Sequence, residues 1–127
     1  MNPTEMRSLV DHYIDAYNRM DIDAMLECVH PHVEFKNISA GVVNASTKGV
    51  AELKTLAQQS LSLFSERHQV IESFEIQGSQ AVASIAFSAV VANDLPNGLR
   101  KGQSLKLSGR SEFEFKDGEI SKITDIS

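Results

Sequence analysis

The stretch YIDAYNRMDIDAMLECVHPHVEF, Tyr13 to Phe35, changes its hydrophobic period part-way along, and that change decides the fold. Its beginning continues a pattern that starts near the N-terminus. Met6, Leu9, Val10, Tyr13, Ile14 and Tyr17 recur at three- and four-residue steps, the spacing of a helix with one buried face. The reading is a helix over residues 4–19, with Thr4, after Pro3, as its N-cap. Asp21 then caps a shorter helix, 21–29, in which Ile22, Met25, Leu26 and Val29 keep the same period until Pro31 ends it. From Val33 the period becomes two, which predicts a strand over 33–39 with Val33, Phe35 and Asn37 on one face.

Beyond this junction, residues 41–49 are small and polar and read as a loop at the entrance of a pocket. Val50, Leu53, Leu56, Ala57, Leu61 and Phe64 return to helical spacing, so a third helix is expected over 48–64. After Ser65 the chain reads as long strands, 67–77, 80–92, 103–116 and 119–126. Gly78-Ser79, Asn97-Gly98 within a longer loop, and Asp117-Gly118 separate them, giving a meander of three hairpins. The order helix, helix, strand, helix, four strands describes one α+β domain over residues 1–127: a curved antiparallel β-sheet wrapped around a long N-terminal helix. In the second long strand Ala83, Ile85, Phe87 and Ala89 alternate with Val82, Ser84, Ala86 and Ser88, so small residues line both faces. One face suits an internal pocket and the other a partner subunit.

Twelve basic and seventeen acidic residues leave a net charge of −5 with no basic stripe, which argues against nucleic acid and anionic membrane surfaces as partners. No signal-peptide pattern opens the chain and no long apolar run interrupts it, so a cytoplasmic location is expected. The lone Cys28 agrees with a reducing compartment, and the Asn37-Ile38-Ser39 and Asn44-Ala45-Ser46 triplets then read as chance matches to a glycosylation signal. His30 and His32 flank a proline with only Glu34 as a nearby acid, too few ligands for zinc or iron, and no metal site is expected there. His12 and His68 have no partner at a fixed spacing.

The quoted stretch, together with the closing FEFKDGEISKI of residues 113–123, resembles the nuclear transport factor 2-like superfamily, in particular its SnoaL-like and ketosteroid isomerase-like members. The resemblance spans nearly the whole chain. It implies a cystatin-like, cone-shaped α+β barrel with an internal pocket, a homodimer formed through the exposed sheet face, and a small apolar molecule as partner. It also implies chemistry without a cofactor. The fold hosts isomerases, cyclases, dehydratases, epoxide hydrolases and non-catalytic modules, so it does not choose among them.

For a ketosteroid isomerase the resemblance implies a tyrosine donor on the first helix, an aspartate base on the first strand and a protonated acid on a late strand. Tyr13 matches the first position, but the base position reads Asn37 and the acid position Ser111. An amide cannot take the proton, so enolisation by that route lacks its first step. On the last strand Ser121, Ile123 and Asp125 share one face, with Ile120, Lys122, Thr124 and Ile126 on the other. Asp125 is thus the remaining candidate general acid or base, unless it lies in solvent near a fraying terminus. Tyr13, with Asp125, forms the candidate catalytic pair; Tyr17, Asn37, Ser111, Phe113 and Phe87 are candidate ligand-binding residues. Two functions stay open: an isomerase, cyclase or hydratase acting by acid–base chemistry on an apolar carbonyl compound, or a non-catalytic ligand-binding or dimerisation module.

Overall fold

A computed structural model describes residues 1–96 and 98–127. Three helices, α1 (Pro3–Asn18), α2 (Ile22–Glu27) and α3 (Val50–Ser60), accompany six strands: β1 (Val29–Ser39), β2 (Val42–Lys48), β3 (Phe64–Gln77), β4 (Gln80–Val91), β5 (Ser104–Lys116) and β6 (Glu119–Ile126). The strands form one sheet in the order β2-β1-β6-β5-β4-β3, antiparallel except where β1 runs parallel to β6. The sheet curves around α1 without closing, so β2 and β3 remain edges of an open cone.

Helix α1 is capped by Asn2 rather than Thr4. The Asn2 side chain accepts from the Glu5 amide at 2.8 Å while Glu5 returns an acceptor to the Asn2 amide at 3.1 Å, a reciprocal pair that leaves Pro3 at the first helical position, where no amide is needed. Its buried stripe is Met6, Val10, Tyr13, Ile14 and Ala16. At the far end Asn18 docks the helix on β3, donating to the Gln69 carbonyl at 3.0 Å and accepting from the Gln69 amide at 2.7 Å. Asp21 caps α2 through the Ala24 amide, as its position predicts.

Three boundaries differ from the sequence reading. Helix α2 stops at Glu27, and Pro31 lies inside β1. Pairing between β1 and β6 is interrupted between Val29 and Glu34, so Pro31 falls where the ladder needs no donor. Residues 41–49 are largely a strand: Ala40 and Gly41, at φ 50° and 79°, turn the chain so that β2 pairs with β1. Alanine at positive φ is an uncommon hairpin turn, which is why the segment reads as a loop. Phe64 opens β3 instead of ending α3. The β5–β6 hairpin turns on Asp117 and Gly118 at φ 54° and 77°, as expected for the pair. Asn97, in the turn expected between β4 and β5, lies outside the described residues.

The core joins Val10, Tyr13 and Ile14 of α1 to Ala81, Ala83 and Ile85 of β4, Phe113 of β5, and Ile120 and Ile123 of β6. Strict alternation would set Ile120 and Ile123 on opposite faces, but both are buried, at 0% and 1% exposure. Between β5 and β6, Phe115 pairs with Ile120 and Glu114 with Lys122, so Ser121 is an extra residue in β6. This bulge brings Ile120 onto the core side without moving Ile123 and Asp125 off it.

Candidate functional site

Beneath α1 the sheet presents one lateral row of polar residues. Asp125 of β6 pairs with Asn37 of β1 on one side and with Ser111 of β5 on the other, so all three side chains leave the same face. Ser111 is 4% exposed and its hydroxyl donates to Asp125 Oδ1 at 2.6 Å. Asp125 therefore does not fray into solvent. The chain end is pinned as well, since Ser127 donates its amide to Ile38 and accepts from Ala40.

Two adjoining chambers meet at this row. An inner one of about 80 Å³ lies between α1, α3 and the sheet, lined by Tyr13, Phe113, Arg67 and the apolar Ile14, Met25 and Leu53. An outer one of about 250 Å³ lies against the sheet, lined by Asn37, Phe64, Phe87 and Leu107 among others. Tyr17, Gln69, Ser111 and Asp125 line both. The seven residues singled out from sequence thus line this pair of adjoining chambers, Tyr13 and Phe113 the inner one, Asn37 and Phe87 the outer one, and Tyr17, Ser111 and Asp125 both. Asn37 spends its amide on Asn44 Oδ1 at 2.7 Å, across the β1–β2 hairpin. Phe87 packs edge-on against Phe64 with ring centroids 5.7 Å apart.

Burial pushes the Asp125 carboxyl up from its ordinary 3.8 to about 6, and the Ser111 hydrogen bond holds it back in part by stabilising the carboxylate. The tyrosines respond to the same surroundings. Burial raises Tyr13, with the charge of Asp125 adding to the shift, and burial raises Tyr17 against the opposing pull of Arg67. Both hydroxyls stay protonated at any physiological pH, so each can donate to a carbonyl oxygen.

Arg67 and Gln69 are among the wall residues the sequence reading does not single out. They stand at alternate positions of β3 and face inward with Ile71, whereas Glu66, His68 and Val70 are exposed. Polar residues on both faces hide the period that an apolar stripe would reveal. Arg67 is 6% exposed, lays its guanidinium carbon 3.8 Å from the centroid of the Tyr17 ring, and donates from Nε to the Tyr17 carbonyl at 3.0 Å. The signal available was a lone arginine in phase with Gln69 and Ile71.

The histidines stand apart from this concavity. His30 Nε2 lies 3.5 Å from Asp117 Oδ2, and the His32 amide donates to His30 Nδ1 at 3.0 Å. His12 and His68 are exposed. Cys28 is a buried free thiol directed at the Ala24 carbonyl. Among the described residues no three His, Cys, Asp or Glu side chains converge, and no helix is long and apolar enough to cross a membrane.

A SnoaL-like domain model matches residues 10–123. The chain belongs to the SnoaL-like family. Solved structures support the same architecture for this SnoaL-like domain. A putative SnoaL-like polyketide cyclase from Jannaschia sp. CCS1 superposes with a TM-score of 0.82 at 15% identity, over 98% of this chain and 88% of that one. A putative polyketide cyclase from Xanthomonas campestris pv. campestris gives 0.79 at 23% identity, over 100% and 93%. An LEH-like epoxide hydrolase from M. tuberculosis gives 0.77 at 15% identity, over 97% and 82%. At these identities the likeness is one of fold. No protein of curated function matches the chain.

Proposed function

We propose that this SnoaL-like domain is a cofactor-independent acid–base enzyme, an isomerase, cyclase or hydratase, acting on a small, largely apolar carbonyl compound held between α1 and the sheet. The observation that carries the reading is Asp125: a carboxyl raised to about 6, bordering both chambers and oriented through one oxygen by Ser111. Near neutral pH such a group is mostly a carboxylate with a substantial protonated fraction, so it can take a proton from carbon or oxygen and return it elsewhere. Ser111 engages Oδ1 and leaves Oδ2 for the ligand. Tyr13 and Tyr17 supply protonated hydroxyls to polarise the carbonyl and to stabilise the oxyanion that forms as the α-proton leaves. The base thus stands on β6, one strand over from the position that reads Asn37. The putative polyketide cyclases of the same fold make this class of substrate reasonable.

The outer face of the sheet carries Val70, 46% exposed, beside Ala86, and we assign it to a homodimer contact, with light scattering at several concentrations as the check. A free buried thiol fits a cytoplasmic setting. The test of the activity is a thermal-shift panel of aromatic and polyketide-like carbonyl compounds, followed by product analysis on every hit. Turnover by the wild type that is lost in Asp125→Asn, with binding kept, is the expected result. Hits that are bound and never converted, or converted equally by the variant, overturn it in favour of a non-catalytic binding module.

A further inference from the structure

The inner chamber holds a cation whose charge the protein does not answer. Arg67 uses Nε on the Tyr17 carbonyl and rests its plane on the Tyr17 ring, but its Nη2 is out of solvent and has no hydrogen-bond partner among the described residues. No carboxylate among the described residues lies within ion-pair distance of it. Asp125 lines the same chamber and is engaged by Ser111 instead. A buried guanidinium held by Tyr17 alone, through its ring, its carbonyl and its hydroxyl, with no carboxylate partner among the described residues, is costly, and a methionine of similar length would fill that space more cheaply. The rest of the chamber wall is mainly apolar, with Ile14, Met25, Leu53 and Phe113 beside the polar Tyr13, Ser60 and Gln69. A mainly apolar chamber with a guanidinium in its wall suits an apolar body that carries an anionic oxygen, which a guanidinium meets with charge-assisted hydrogen bonds.

We propose that Arg67 anchors an anionic oxygen of the ligand, so that the compounds this site takes are aromatic or polycyclic acids, carboxylates or ionised enols and phenols conjugated to a carbonyl. This rests on the reading of the concavity as a ligand site and names the chemical class of its ligand. With the anionic oxygen at Arg67 in the inner chamber, the rings extend past Tyr17 and Asp125 into the outer one, which brings the central part of the molecule to the carboxyl.

The test compares two acid–neutral pairs by calorimetry on the wild-type protein at about pH 8: 2-naphthoate against its methyl ester, and 2-hydroxy-1,4-naphthoquinone against its methyl ether. The acid of at least one pair should bind roughly tenfold or more tightly than its neutral partner, as expected when a charge-assisted bond is lost. Which pair shows the preference tells carboxylate from enolate. Arg67→Met should abolish the preference by weakening the acid far more than its neutral partner, and Arg67→Lys should restore part of it. Neutral compounds binding as well as the acids overturn the anchor and leave the ligand site standing. Binding by no member of either pair overturns both. The wild-type comparison decides the matter even where a variant fails to fold.

Discussion

Replacing Asp125 with asparagine should make the protein more stable in mildly alkaline solution and leave it unchanged in acid. Folding moves this carboxyl from its ordinary 3.8 to about 6. Because the folded value is the higher one, the native state binds the proton more tightly than the unfolded chain, and burial penalises the carboxylate. The penalty is absent below the unfolded value, grows as the pH rises through the interval, and is complete above the folded value. A shift of about two units, at about 1.4 kcal/mol per unit, corresponds to roughly 3 kcal/mol of stability withheld above about pH 7. The side-chain amide that Asp125→Asn introduces carries no charge and still offers an oxygen to the Ser111 hydroxyl. Urea denaturation followed by far-UV circular dichroism from about pH 4 to about pH 8 measures the effect, since the chain has no tryptophan to report by fluorescence. Subtracting wild type from variant at each pH cancels the titration of every other carboxylate. The variant should gain about 2–3 kcal/mol at the alkaline end and less than about 1 kcal/mol at the acid end. A difference that stays flat across this range, or that grows as the pH falls, refutes the placement of Asp125 in a desolvated wall.

Ser111→Ala removes the one hydrogen bond that favours the carboxylate, so the Asp125 carboxyl should titrate about one unit or more higher in a carbon-13 NMR titration; an unchanged midpoint would mean that the hydroxyl contributes nothing to the charge state. Gly109→Ala would set a Cβ 2.6 Å from the Ile126 carbonyl oxygen, backbone that cannot give way freely, and should cost about 1–3 kcal/mol in the same denaturation assay while shifting the amide resonance of Asp125. Phe113→Ala, at a side chain 1% exposed in the centre of the core, should lower stability by about 3–5 kcal/mol; a loss below about 1 kcal/mol would place Phe113 in the open part of the chamber, available to ligand.

The helices and the last hairpin were legible because their signals are local. A three- and four-residue apolar period, an aspartate before Ile22 and an Asp-Gly pair between two alternating runs each act within a few residues. Strand β2 was not, because Val42 to Lys48 has one partner strand and a mostly exposed surface, so no buried face imposes a pattern, and its Ala40-Gly41 turn uses a residue that seldom takes positive φ. Inside the site, Tyr13, Ser111 and Phe113 were placed by periodicity and resemblance. Asp125 could be read either as a pocket residue or as a solvated end, and long-range contacts decide between them: the β6 bulge at Ser121, pairing to strands on both sides, and Ser127 tied to β1. Arg67 went unread because an inward cation has no period of its own, and its burial depends on Tyr17, fifty residues earlier in the chain.

The sequence by itself determined the order of elements apart from β2, the buried stripe of α1 and the small-residue alternation of β4. Which charged groups would share a desolvated space was decided by the tertiary structure alone. Burial and proximity belong to the sheet's curvature and register, and a one-residue change in register would have sent Asp125 to the opposite face. The proton affinity of that carboxyl, and the unanswered charge of Arg67 in the same chamber, are therefore properties of the folded cone and of no segment of the chain.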